Sequence, residues 1–300
     1  MALRHPPQDE LLGAHVSSQG GVAEAPARGA EIGATAIQVF TKTPNQWREP
    51  VLEATAAVRF RTAMSRHGIR AVVAHDSYLI NLASPDDALR AKSVRCFSGE
   101  LTRCLALGIP WVVSHPGNYM DERTAGLERN ARGYAECLAT VPGDVGVLIE
   151  GTAGAGTALG ATFEELRALR DALPEAARAR VGYCLDTAHL HAAGYDVVGG
   201  MPEVFEEFDR VVGLERLKCL HLNDSKAARG SHLDRHEWIA EGTIGAEPFR
   251  QIMRDPRLGG GRVIKIIETP KRDDPLKHDR RMLRRLRAYA RVSAQPVRTV

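Results

Sequence analysis

Short runs of Val, Ile, Leu and Ala recur along the chain: LLGAHVS (11–17), AIQVF (36–40), RAVVAHD (70–76), WVVSHPG (111–117), VGVLIEGT (145–152), VGYCLD (181–186), CLHLND (219–224) and VIKIIET (263–269). They are continuously apolar rather than alternating, as strands covered on both faces by crossover helices are. Between them, apolar positions return every three or four residues over 54–67, 86–107, 123–140, 162–173, 203–212, 246–254 and 275–291, with a shorter helical stretch at 22–32. Thr162 and Glu165 have capping-box spacing, Gly68 and Gly108 follow helix ends, and Pro85, Pro202 and Pro275 stand near helix starts. Eight strand–helix units in about 280 residues predict an α/β protein, a single-domain (β/α)8 TIM barrel over about 11–292 with a short tail at 293–300. A doubly wound open sheet is the alternative that the same rhythm allows. No linker, low-complexity stretch or longer internal repeat interrupts it.

Composition narrows the setting. A chain of 300 residues with 44% hydrophobic and 26% charged content is that of an ordinary soluble globular protein. The net charge of +3 gives little support to nucleic-acid binding through bulk charge, and nine Lys and Arg against three Asp between Lys271 and Arg291 leave the remainder slightly acidic. That segment carries Met282, Leu283, Leu286 and Tyr289 at helical spacing, so it reads as a last outer helix with a charged solvent face. The five cysteines form no CxxC pair, which suits a reducing compartment. No signal-peptide pattern precedes Leu11, and no apolar run approaches the ~18 residues of a membrane span. The expected location is the cytoplasm, without membrane association, and the chain is expected to act as a monomer.

In a barrel, functional residues gather at the C-terminal ends of the strands. The third predicted strand ends at His75, the fourth at His115, the fifth at Glu150, the sixth at Asp186, the seventh at His221 and the eighth at Glu268. One histidine after an apolar run is ordinarily a hydrogen-bonded strand-end residue. Six metal-competent side chains on one rim are costly unless a cation or hydrogen bonds satisfy them. The loops after strands six and seven add His189, three residues past Asp186, and the pair Asp234 and His236, which extended backbone would point to one side. Spacing does not exclude His191. Five histidines and four carboxylates exceed the needs of one ion and suggest two or three, with zinc favoured and manganese or iron as alternatives. Clustered divalent ions suit in-line displacement at phosphorus, so phosphoester hydrolysis is the first expectation.

The strings GAHVS (13–17), FTKTPNQW (40–47), HDSYLINL (75–82), HPG (115–117), TAG (152–154), LDTAH and AGYD (185–196), HLNDSK (221–226) and DRHEWIAEGTIG (234–245) together resemble the endonuclease IV family of apurinic/apyrimidinic endonucleases. The resemblance implies a TIM barrel with three zinc ions, manganese being an alternative at one site, that cuts duplex DNA 5′ to an abasic site and leaves a 3′-hydroxyl and a 5′-deoxyribose phosphate. It implies a first ion on His75, His115 and Glu150, a second on Glu150, Asp186, His221 and Glu268, and a third on His189, Asp234 and His236. Glu150 and Glu268 would then stand nearest the reaction, with a metal-activated water as nucleophile. His191 falls outside the motif and reads as a supporting residue. Tyr78 and Leu79 match positions that wedge into the base stack, and Lys42, Asn45, Gln46 and Trp47 would face the duplex. Arg235 reads either as a phosphate contact or as surface charge. Asn45 departs from a longer basic residue common in the family, and Gly151 from a common Asn. A metal-dependent sugar isomerase or epimerase on the same barrel is the competing reading, but it needs at most two ions and leaves Asp234 and His236 idle.

Overall fold

In the computed structural model, which describes residues 10–291, eight parallel strands close into a barrel. They are β1 (Leu12–His15), β2 (Ala36–Phe40), β3 (Ala71–His75), β4 (Trp111–Ser114), β5 (Gly146–Glu150), β6 (Val181–Asp186), β7 (Leu217–His221) and β10 (Ile264–Ile267). Each pairs with its neighbours in chain order, and β1 closes the ring between β10 and β2. The closed barrel replaces the open-sheet alternative. A two-residue hairpin of β8 (Asp224–Ser225) and β9 (His236–Glu237) stands above β7. The tail expected at 293–300 lies outside the described residues. Among the described residues, no helix is long and apolar enough to cross a membrane.

The expected helices form as α1 (Ala25–Glu31), α2 (Ala54–Arg66), α3 (Asp87–Leu107), α4 (Arg123–Thr140) and α5 (Phe163–Asp171). Then come a short α6 (Glu175–Arg178), α7 (Thr187–Ala193), α8 (Val197–Val211), α9 (Glu247–Arg254) and α10 (Pro275–Ala290). Local chemistry fixes their ends. Asp86 accepts from the backbone N–H groups of Ala88 and Leu89 at the start of α3, and Gly108, at φ 76°, ends it in the left-handed conformation that glycine tolerates. Thr162 caps α5 as expected, while the Glu165 carboxylate reaches back to the N–H groups of Gly160 and Ala161.

Two expectations change. The segment holding His189 and His191 is the helix α7 rather than a loop, because the Asp186 carboxylate caps it through the N–H groups of Ala188 and His189. The helix expected over 203–212 is preceded by a further helical turn from Val197, joined to it across a kink at the non-helical Gly200, so Pro202 lies near the start of the second piece of α8, as expected.

Strand periodicity then positions everything that follows. Ala36, Val73, Val113, Leu148, Cys184, Cys219 and Ile266 form an apolar layer inside the barrel, separate from the larger core between strands and helices. Two residues further along each strand or its immediate continuation stand Gln38, His75, His115, Glu150, Asp186, His221 and Glu268, which therefore face the same interior one layer higher. All five cysteines are buried and free. The basic α10 turns its arginines to the fold itself: Arg280 donates to the Glu31 carbonyl and Arg287 to the Gly33 carbonyl, which ties the last helix to the first.

Ring closure leaves no room at Gly13. A Cβ there would lie 1.6 Å from the Ala36 carbonyl oxygen. Gly13→Ala must force β1 away from β2, and the expected loss is about 3 kcal/mol or more, read as a lower urea midpoint with an unchanged m-value.

Candidate metal centre

Six strand ends, helix α7, and β9 with the segment leading into it bring all nine predicted ligands to the barrel mouth. His75, His115 and Glu150 form one group whose ligand atoms lie within 4.8 Å of one another, and Glu150, Asp186, His221 and Glu268 form a second. Asp186, His189 and His236 form a third, which Asp234 joins through contacts of 3.3 Å to His189 Nε2 and 3.1 Å to His236 Nε2. Asp186 thus stands between the second and third groups rather than in the second alone, its Oδ2 lying 3.5 Å from His236 Nε2 and 3.8 Å from His221 Nδ1. Glu150 joins the first two groups: Oε2 faces His75 and His115 at 3.3 and 3.1 Å, and Oε1 faces His221 at 3.0 Å.

These separations test whether ions fit. Tetrahedral zinc with ligands at about 2.0–2.1 Å sets ligand atoms roughly 3.3–3.4 Å apart, and most contacts within each group lie between 3.0 and 3.5 Å, with Asp186 to His221 longer at 3.8 Å. His236 Nε2 is buried without a hydrogen-bond partner, aimed between Asp186 and Asp234. Imidazoles with carboxylates are the donor set that zinc accepts.

Each ligand is braced from behind. His75 Nδ1 donates to the Asp76 carbonyl, and the Asp76 carboxyl receives the Ser114 hydroxyl, which in turn receives that of Tyr134. His189 Nδ1 donates to the Gly151 carbonyl at 2.9 Å, so the support expected of the residue after Glu150 comes from its backbone. Asn223 spans two ligands, donating to Asp186 Oδ2 at 2.7 Å and accepting from the Glu268 N–H at 2.8 Å. The buried Asp224 carboxylate gathers the N–H groups of Gly242, Ile244 and Gly245 and so fixes the turn beside the hairpin that carries His236. His191 points elsewhere, its Nε2 meeting Thr243 Oγ1 at 3.3 Å.

The groove over the centre encloses ≈ 1090 Å³ and is lined by Tyr78, Pro44, Arg28 and Arg235 as well as by ligands. Tyr78 is 68% exposed, and its ring stands edge-on to Phe40 at 5.3 Å. Leu79 beside it is half-buried. Ser77 ties this loop to the 42–49 loop by donating to the Pro44 carbonyl. On that second loop Asn45 and Gln46 are exposed, while Trp47 is half-buried under the Lys92 ammonium. Lys42, expected to face outward, is buried: its ammonium donates to the Gln46 carbonyl and pairs with Glu49 at 3.0 Å, so its charge holds the loop together. Arg235 is exposed, its guanidinium donating to the adjacent Asp234 carbonyl.

Sequence reading missed two residues of the ring, His15 and Gln38, both at the end of or within strands read only as apolar. His15 Nδ1 lies 3.2 Å from Glu268 Oε1. Gln38 is fully buried and bonded to Glu268 and His221. The available signal was a single polar residue in AIQVF, two positions past an inward-facing alanine.

The chain matches, over residues 26–286, the family described as a xylose isomerase-like TIM barrel. A relative from Chloroflexus aurantiacus named "Probable endonuclease 4" is 46% identical over 281 residues, covering 92% of this chain and 97% of the relative. The crystal structure of endonuclease IV from Thermus thermophilus superposes with a TM-score of 0.82 at 37% identity, covering 93% of this chain and 98% of that one. A D-tagatose 3-epimerase-like protein, at 18% identity and a TM-score of 0.65 over 93% of this chain and 98% of its own, shares the fold.

Proton binding in the metal-free protein gives a measurable consequence. Burial alone would push the His75 and His236 imidazoles down, but the carboxylates beside them, Glu150 for the first and Asp186 and Asp234 for the second, outweigh it and raise both to about 9. A histidine raised from its ordinary 6.5 adds stability that is fully present below about pH 6.5 and is lost as pH climbs through about 9. Chelator-stripped protein should therefore melt at progressively lower temperature between pH 6.5 and 9, whereas metal-loaded protein should hold its midpoint. A flat profile for the stripped form would refute this account of the mouth.

Proposed function

Because the chain belongs to the endonuclease IV family of apurinic/apyrimidinic endonucleases, we propose that it is a zinc-dependent repair nuclease. It hydrolyses the phosphodiester 5′ to an abasic site in duplex DNA, leaving a 3′-hydroxyl and a 5′-deoxyribose phosphate. The observation that carries this reading is three adjoining ligand groups linked by the Glu150 and Asp186 carboxylates. A sugar epimerase on this barrel would have no use for the group built by His189, Asp234 and His236.

Zinc, when bound, supplies Lewis acidity, neutralising charge on phosphate oxygens and bringing the pKa of water from ~15.7 towards ~7. The nine side chains named would hold the ions, and Glu150 and Glu268 would be the carboxylates that act nearest the reaction. Glu150 offers one oxygen to each of the first two groups, which sets their spacing. Asp76, Asn223 and the Gly151 carbonyl keep the ligands from turning as substrate enters.

Recognition falls to the rim. Extruding a nucleotide costs a few kcal/mol, least where the base is already missing. Tyr78, exposed beside His75, and Leu79 offset part of that cost by filling the opened stack. Asn45, Gln46 and Arg235 present polar groups to the backbone, and Trp47 and Lys42 shape the loop that carries the first two.

Two experiments follow. A duplex with one synthetic abasic site should be cut by protein carrying about three ions per chain by elemental analysis, should resist cleavage once chelator removes them, and should be cut again after zinc is restored. A content near one ion in gently purified protein would sink the three-ion assignment, and three ions without cleavage would sink the nuclease. Replacing Tyr78 and Leu79 together by Ala should weaken binding to the abasic duplex by about 5- to 150-fold, from the ~1–3 kcal/mol of a lost stacking contact. Cleavage at saturation should fall less and metal content should hold; unchanged affinity with lost metal would instead mean that this loop only supports His75.

A further inference from the structure

Gln38 lies at the middle of β2, fully buried, where an apolar residue would complete the strand. Its carboxamide spans two ligands of the second group. Nε2 donates to Glu268 Oε1 at 2.6 Å, and Oε1 accepts from His221 Nε2 at 2.8 Å. The opposite rotamer would set the amide oxygen against the Glu268 carboxylate and the amide nitrogen against the imidazole N–H, so the two neighbours fix its orientation.

We infer that Gln38 is a positioning residue for the second metal group, setting the His221 tautomer and the Glu268 orientation through one amide. An amide oxygen only accepts, so His221 carries a proton on Nε2, which leaves Nδ1, 3.0 Å from Glu150 Oε1 and 3.1 Å from Glu268 Oε2, as the ring atom that would serve an ion. The amide N–H occupies Glu268 Oε1 and leaves Oε2 on the metal side. A glutamate at this position would keep the acceptor for His221 but add a carboxylate beside Glu268, and a leucine or methionine would offer neither bond. Glutamine is the residue type of this length that is neutral and both donates and accepts. His15 Nδ1, 3.0 Å from Gln38 Nε2 and 3.2 Å from Glu268 Oε1, closes the same cluster from β1.

The inference rests on the three-ion reading, and the test separates the two. Wild type and Gln38→Met are loaded with zinc and titrated with a competing chelator, metal content is followed ion by ion, and the ¹⁵N long-range spectrum of His221 reports its tautomer. In the variant one ion should leave with affinity reduced 10- to 100-fold, the other two should stay as in wild type, and the hydrogen-bonded His221 Nε2–H signal should be lost. Three ions held as tightly as in wild type, or equal weakening of all three in a folded variant, overturns the role of Gln38. Should Gln38→Met fail to fold by circular dichroism, Gln38→Glu serves, since it has no N–H for Glu268: the same selective loss is expected, and full retention overturns the inference. Fewer than three ions on wild type itself counts against the three-ion reading instead.

Discussion

Everything in this molecule turns on bringing four carboxylates and five imidazoles together in one barrel mouth, most of them buried. Charges so placed are tolerable only when each has an opposite neighbour and its remaining hydrogen-bonding positions are filled. Histidines at 3.0–3.5 Å hold the Glu150 and Glu268 carboxyls well below their usual range despite burial that opposes this. The braces behind the ligands follow from that constraint: Asn223 between Asp186 and Glu268, the hydroxyls of Ser114 and Tyr134 behind Asp76, and the Gly151 carbonyl behind His189. Below them, among the described residues, the barrel interior reverts to an apolar layer that includes the thiols of Cys184 and Cys219.

The barrel and the ligand set were legible because both depend on periodicities that survive in one dimension. Continuous apolar runs mark strands buried on both faces, and a histidine or acid at the end of each run falls on the interior by the two-residue repeat. Helix α4 was expected over the residues where it occurs, since its ends are set by local capping. What escaped were features decided by contacts distant in sequence. His189 looked like a loop residue because AHLHAA has no amphipathic stripe; burial on every side of α7 makes it a helix without one. Lys42 looked solvent-facing because lysine usually is, and Glu49 and the Gln46 carbonyl draw it inward. Gln38 was hidden because its partners lie on β7 and β10.

Charge is distributed unlike that of a protein that grips DNA with a basic face. The most basic segment, α10, has arginines bound to carbonyls of the first helix and its following turn, and others paired with Glu241. In the three-ion reading, the attraction for a phosphate comes from the ions themselves, since three divalent cations outweigh four carboxylates. The pull is then local to the barrel mouth and leaves sliding along undamaged duplex weakly favoured.

The order of the strands around the ring also decides which parts of the chain each ligand group ties together. His75, His115 and Glu150 stand at the ends of three successive strands, so the first group draws on one contiguous stretch of the chain. The second group needs Glu268, whose neighbour His15 is separated from it by 253 residues. Ring closure of β10 against β1 and completion of that group therefore depend on the same pairing of the two ends of the chain.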